Sequence, residues 1–289
     1  MEYEKNLKKV GLYIRKMPSL PTSVAKVLEL ANDPNVSPAD LNQVISLDPV
    51  LMGKVMKLIN SAYYGLHQKI TSLVRAIIML GVNTVKNLAL STAILSNLGS
   101  DSHFQVINMN GYWRHSLCVG VTAKLIAKQK GIPANQQESF FVAGLLHDIG
   151  KIPLNNTLSQ EYLEVLALSD RTRKPLYRSE KEVIGFSHAD VGNIISKAWK
   201  LGDEIHDAIV YHHRYSEYTG PHRVILLSVI VANYFANSYD IGFSGNRYPE
   251  AVPQELYDEL GISLDWLESV EEQVNQEIDK AKVFLKIAE

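Results

Sequence analysis

A chain of 289 residues, 46% hydrophobic and 21% charged, carries enough apolar surface for a substantial core, since a folded chain of this size hides roughly three quarters of its extended-chain surface. Seventeen glycines and eleven prolines exclude a collagenous or low-complexity chain. A net charge of −2 with a pI near 6.5 lacks the bulk positive charge that nucleic-acid binders carry, so nucleic acid is not an expected partner.

The single cysteine, Cys118, excludes an intramolecular disulfide framework and a cysteine zinc cage. Residues 1–9 are charged with no apolar run behind them, which does not read as a secretion signal. The longest apolar stretch, residues 224–231, is far short of the roughly 20 residues a membrane span needs. A cytoplasmic protein without a membrane partner is expected.

Helix signals dominate along the chain. Ser37-Pro38-Ala39-Asp40 sets an N-cap hydroxyl, a first-turn proline and an acidic third residue ahead of Leu41, Val44 and Ile45. Asp48-Pro49 repeats the signal before Leu51, Val55, Met56 and Leu58. Ser72 caps a helix that Gly81 stops, and Asn83 is expected to cap the next one. Residues 1–98 therefore read as a first helical subdomain of about five short helices. The polar run 97–102 is the expected boundary, and residues 99–289 form a second helical subdomain with a C-terminal helical extension. Here one helix is expected over about 104–130 and another from about 135 towards His147. A capping box at Ser187 and Asp190 opens a third that reaches Trp199. Three more are expected at 204–211, 224–237 and, as one long helix, 264–287. The fold class is all-α.

Five of the nine histidines, with one aspartate, fall where helices begin or end. His147-Asp148 closes an apolar helix; an imidazole beside a carboxylate offers two metal ligands from adjacent positions, and the carboxylate can bridge two ions. Lys151, three residues on, is placed to meet a phosphate oxygen. Read singly, His188 fits a solvated first turn, and His212 and His213 fit an exposed pair at a helix end. His115 fits a core histidine, Tyr63-Tyr64 a packing pair, and residues 171–174 a solvated basic loop.

Read together, these blocks are informative. The run from Ala143 through Gly144, Leu145, Leu146, His147, Asp148, Ile149 and Gly150 to Lys151 resembles the defining motif of the HD superfamily of metal-dependent phosphohydrolases. In the first half, Leu20-Pro21, Asp48-Pro49, Asn60-Ser61-Ala62-Tyr63-Tyr64-Gly65 and Ile70-Thr71-Ser72-Leu73 resemble the HDOD module, the HD-related output domain of bacterial signalling. The resemblance covers about residues 10–235. It implies an HD-like second subdomain and a metal site. The first position would be held by His115, His147 and Asp148, the second by Asp148, His188, His212 and His213. Where HD hydrolases complete the first position with a carboxylate, this chain has Asn233, a weaker and neutral ligand; Asp240 is the nearest carboxylate after it. Three histidines and a carboxylate suit iron, manganese or zinc, as one or two ions. An ion-activated water would attack phosphorus, with Asp148 and Lys151 as the catalytic pair.

The Gly-Tyr-Pro signature of the cyclic-dinucleotide hydrolases is missing, so cyclic di-GMP cleavage is not expected. Three functions stay open. One is a regulatory signal-transduction module that acts on a signalling protein partner. Another is a metal-dependent phosphohydrolase acting on a nucleotide or small phosphorylated ligand. The third is a domain that senses a metal or ligand without turnover.

Overall fold

The computed structural model describes residues 2–31, 33, 35–98 and 106–288. Among these the chain is helical with no strand, as the sequence predicts. The first half comprises α1 (Glu2–Lys16), α2 (Thr22–Ala31), α3 (Pro38–Ser46), α4 (Pro49–Ile59), α5 (Leu73–Leu80) and α6 (Val82–Leu98). Local chemistry sets these boundaries. Ser37 and Asp40 form the expected capping box at α3, and Asp48 caps α4 by accepting from Leu51 N at 3.0 Å. Gly81 ends α5 at φ 89°, where a side chain would be strained. Asn83 is not a cap, because α6 already begins at Val82. This helix is buried almost all round and forms a spine for the first half.

The second half comprises α7 (Met109–Gln129), α8 (Ala134–Leu146), α9 (Lys151–Thr157), α10 (Ser159–Thr172), α11 (Leu176–Val183), α12 (His188–Ala198), α13 (Asp203–Tyr211), α14 (Arg223–Ser238), α15 (Gln254–Leu260), α16 (Leu264–Ser269), α17 (Glu271–Ala281) and α18 (Val283–Ala288). The helix expected from about residue 104 starts only at Met109, because Asn108 caps it through Gly111 N at 3.0 Å. Residues 99–105, which hold most of the expected boundary and His103, lie outside the described residues.

The single helix expected over 264–287 is three helices, interrupted at Val270 and Lys282. The breaks let this segment pack on helices of both halves. As a result α17 packs on α7 while α18 reaches α6 and α4, where Phe284 lies 5.1 Å from Tyr63 and 4.9 Å from Phe141 between ring centroids. Tyr63 and Tyr64 are therefore packing residues, as the sequence suggests. One connected apolar cluster runs from Val10 to Ile287 through both halves. No single helix among the described residues is long and apolar enough to cross a membrane, and the α5–α6 pair, apolar enough only jointly, is bent by 116°.

Two close approaches between helices position the site. At the α7–α8 crossing, a Cβ on Gly144 would stand 2.7 Å from Gly120 Cα and 2.8 Å from Gly120 N. Backbone meets backbone there, so neither side can yield. Where α9 begins, a Cβ on Gly150 would overlap the carbonyl oxygen of His188 and lie 2.7 Å from Gly192 N. Gly144→Val is expected to force α7 and α8 apart and to lower the unfolding free energy by about 3 kcal/mol, at the upper end of ordinary overpacking. Chemical denaturation checks this, and a loss below about 0.5 kcal/mol would show that the crossing yields easily.

Candidate functional site

The two glycine contacts bring four helix ends and one helix middle to a single point. His115 comes from the middle of α7, His147 and Asp148 from the end of α8, and Lys151 from the start of α9. His188 opens α12, and His212 and His213 follow α13. His188 and His212 are buried, so neither the solvated first turn nor the exposed pair describes them. Asp148 sits at the centre, fully buried. Its Oδ2 lies 2.6 Å from Lys151 Nζ, 3.4 Å from His147 Nε2 and 3.8 Å from His115 Nε2. Its Oδ1 lies 3.1 Å from His188 Nε2 and 3.7 Å from His212 Nε2. His188 Nε2 is in turn 3.2 Å from His212 Nε2 and 3.1 Å from His213 Nε2. The ligand-type atoms thus fall into two groups, His115–His147–Asp148 and His188–His212–His213, with the Asp148 carboxylate between them.

Tautomers show what this arrangement lacks. A carbonyl oxygen only accepts, so His147 Nδ1 must donate to Gly144 O (2.7 Å) and His212 Nδ1 to Ile209 O (2.9 Å). His188 Nδ1 likewise donates to Glu180 Oε2 at 2.6 Å. In the neutral tautomers fixed in this way, the Nε2 atoms of His147, His188 and His212 present their lone pairs towards the Asp148 carboxylate and its neighbours. His115 Nε2, His147 Nε2 and Asp148 Oδ1 accordingly lack any well-aligned hydrogen-bond partner among the described residues. Acceptors facing acceptors in a buried space fit a cation between them.

The electrostatics agree. Burial pushes His115 down to about 3 and lowers His147, and burial with neighbouring imidazoles holds His212 and His213 well below the ordinary range. Four rings thus stay neutral and ligand-ready. Burial opposes the charge of Asp148, yet His147, Lys151 and His188 outweigh it and keep the carboxyl ionised. His188 differs: burial pulls it down, but Glu180 and Asp148 raise it overall.

Lys151 departs from expectation. It is 3% exposed and spends its charge on Asp148 Oδ2 and Ser244 Oγ (3.1 Å), so it does not face an open phosphate site. Asn233 on α14 lies within hydrogen-bonding range of His115, but its Oδ1 already accepts from Asn237 Nδ2 at 2.8 Å. Asp240 is exposed in a left-handed turn, with φ 51°. The sequence reading missed Glu180 altogether. This buried carboxylate of α11 also accepts from His188 N (2.8 Å) and Tyr162 Oη (2.8 Å), and it fixes the tautomer of a ligand-type histidine. Its signal was thin: an acidic residue eight positions before His188. Glu180→Gln is expected to weaken divalent-ion binding by about 10- to 100-fold. Competition with a chelator dye reads this, and unchanged affinity would leave Glu180 a purely packing residue.

Access is narrow. A cavity of about 80 Å³ reaches the site between Tyr177, His212, His213, Asn233, Tyr234 and Glu250. A strap of chain after α14 closes over it. Ser244 holds Lys151, Asn246 Oδ1 accepts from Leu176 N at 3.1 Å, and Arg247 pairs with Asp170 at 2.9 Å. Tyr177 stacks on His213 with centroids 4.3 Å apart, its hydroxyl donates to Glu250, and Arg178 pairs with the same carboxylate. Sequence reasoning did not find this closure, because its partners lie 70 and 73 residues apart in the chain.

Comparison with known proteins follows the same lines. A protein of Treponema pallidum (strain Nichols) with no assigned function is 23% identical over 245 residues, covering 84% of this chain and 46% of that protein, so the chain spans about half the length of the curated relative it matches. A Shewanella amazonensis protein provisionally designated a phosphohydrolase shares the fold at 19% identity with a TM-score of 0.69, over 97% of this chain and 98% of that one. An HDOD domain protein of unknown function from Geobacter sulfurreducens aligns with a TM-score of 0.69 at 26% identity, over 99% of this chain and 98% of its own. The HDOD domain profile itself matches residues 17–215, spanning both the first-half motifs and the histidine cluster, and the chain belongs to the HDOD family.

Proposed function

We propose that this protein is a regulatory module of bacterial signal transduction that holds one divalent ion without hydrolysing a phosphate ester. The observation that carries the reading is the placement of Lys151. Its ammonium stands 2.6 Å from the Asp148 oxygen that faces His115 and His147, so a protein cation already neutralises the side of the carboxylate where a first metal would sit. Among the described residues, no further carboxylate joins His115, His147 and Asp148 there in place of Asn233. The other side, with Asp148 Oδ1, His188, His212 and His213, offers three imidazoles and one carboxylate oxygen, a donor set suited to zinc, iron or manganese. When bound, such an ion supplies Lewis acidity and a lowered water pKa. The cavity bears on who profits from it: about 80 Å³ is well below the roughly 300–1,000 Å³ of typical small-molecule sites, which argues against a whole nucleotide as the ligand. On this reading the ion staples α8, α12 and α13 together, and the module acts through a protein partner.

Elemental analysis of untagged protein tests the first claim, and a panel of nucleotides and phosphate monoesters tests the second. The expected result is close to one equivalent of metal with no turnover. Less than a tenth of an equivalent after metal addition would refute the holding role. The competing reading, hydrolysis of a small phosphorylated ligand, draws on the complete His147-Asp148-Lys151 set; turnover abolished by Asp148→Ala would establish it. Glu250→Ala opens the closure and is expected to raise the rate of metal loss to a chelator by about tenfold, with the folded stability little changed because the Arg178 pair is exposed. An unchanged rate would show that the strap does not govern access.

A further inference from the structure

A second feature, which shares no residue with the histidine cluster, lies on α4. One face of this helix, with Leu51, Val55, Leu58 and Ile59, is buried in the core. The adjoining face, with Pro49, Met52, Gly53 and Met56, continues into Asn60 just past the helix end and forms one wall of an open groove of about 920 Å³. The other wall is the 66–71 segment, with Leu66 and Ile70. This wall is pinned in place: Asn60 Nδ2 donates to Ile70 O at 2.9 Å, and Ile70 N donates to Asn60 Oδ1 at 2.8 Å. At the Pro49 end, Leu47 and Val50 are 71% and 67% exposed, among the most exposed large apolar side chains of the described residues.

Gly53 is the telling residue. It stands mid-helix with no positive φ to require it, and a Cβ there would meet nothing within 4 Å. A glycine at this point costs helix stability and the fold gains no space or turn from it. What it does provide is a flat floor, flanked by two conformationally adaptable methionines, on which another backbone can lie closely. The rim is basic. Lys57 and Lys69 stand exposed on opposite walls, and no carboxylate lines the groove.

We propose that the α4 groove is the docking site for an acidic amphipathic helix of a partner protein, its apolar face over Gly53 between Met52 and Met56 and its carboxylates against Lys57 and Lys69. The helix-in-groove mode needs a preformed apolar cleft with charged rims, and both are present. The acidic charge is what selects this occupant over a second copy of the basic-rimmed groove face itself.

The test uses the full chain as bait against a displayed library of 16-residue helical peptides of varied charge. Gly53→Ala serves as the folding control and is expected to raise the melting temperature by about 2 °C. Enriched peptides are expected to be acidic, with apolar residues at three- and four-residue spacing. Their affinity is expected to fall at least about tenfold with Gly53→Leu, which fills the floor, and with Lys57→Glu combined with Lys69→Glu, while metal content stays at the wild-type level. Three results overturn the proposal: no enrichment beyond that seen with Gly53→Leu, enrichment of basic or non-helical peptides, or a chain dimer in sedimentation that Gly53→Leu dissociates. Because the groove variants leave the histidine cluster untouched, failure here and failure of the metal-holding role read out separately.

Discussion

Asp148→Ala is expected to weaken divalent-ion binding at the histidine cluster and to destabilise the apo chain together. Loss of the central carboxylate removes the side chain whose two oxygens face the two histidine groups, and divalent-ion affinity is expected to fall by about 100-fold or more. Independently of metal, the substitution strips the partner from Lys151, whose ammonium is 3% exposed and would retain only the Ser244 hydroxyl at 3.1 Å. An uncompensated buried charge of this kind costs about 3–5 kcal/mol. The two effects separate in a double variant. Asp148→Ala combined with Lys151→Met removes both charges, so stability is expected to recover by at least about 2 kcal/mol while metal binding does not return. Urea denaturation in chelator gives the first readout and elemental analysis the second. A single Asp148→Ala variant within about 1 kcal/mol of the parent would mean that Lys151 finds water or another acceptor, and the ion-pair account of the first position would fall.

What the sequence made legible follows from the range of the forces involved. Capping boxes at Ser37 and Ser187 and the Asp48-Pro49 start are settled within four residues, and the structure shows each at its expected place. The all-α class and the HDOD membership rest on local motifs of the same kind. His147, Asp148, His188, His212 and His213 are legible as residue types at helix ends, whereas His115 lies inside α7; the structure brings all of them together. Their roles depended on partners distant in sequence. Whether Lys151 faces a ligand or Asp148 depends on Ser244, 93 positions away, and on the strap that carries it. Glu180 was passed over because a buried glutamate is rare enough to look solvated from sequence, and only the approach of α11 to α12 gives it His188 as a partner. The breaks in the C-terminal segment are illegible for a related reason: its apolar spacing, with Leu267, Val270 and Val274, continues across the break at Val270, and the packing of α17 on α7 and of α18 on α6 and α4 decides where it bends.

Acid is expected to unfold the metal-free chain well before its carboxylates titrate. The ordinary histidine value is 6.5, and burial pushes His115 in the folded chain down to about 3. Between these values the unfolded chain takes up a proton that the folded chain refuses, so stability rises with pH across this window and is lost as pH falls below about 6.5. At pH 5 the His115 contribution alone amounts to about 2 kcal/mol, from 1.5 units at about 1.36 kcal/mol each. His147, His212 and His213, all lowered chiefly by burial, act in the same direction. His188 acts in the opposite direction. Its folded value is raised through Glu180, so its contribution is fully present below pH 6.5 and is lost as pH rises through the folded value. Four rings against one leave a net loss in acid. Denaturation in chelator at pH 7.5, 6 and 5 is expected to show this loss, and His115→Asn to flatten the slope. Adding zinc at 100-fold over its dissociation constant is expected to restore about 2.7 kcal/mol at pH 7.5, and far less at pH 5, where protons compete for the same Nε2 lone pairs. A metal-free chain equally stable at pH 7.5 and 5 would mean that the histidine cluster opens to water in acid without cost, and a site that opens so freely does not hold its ligands in place for an ion.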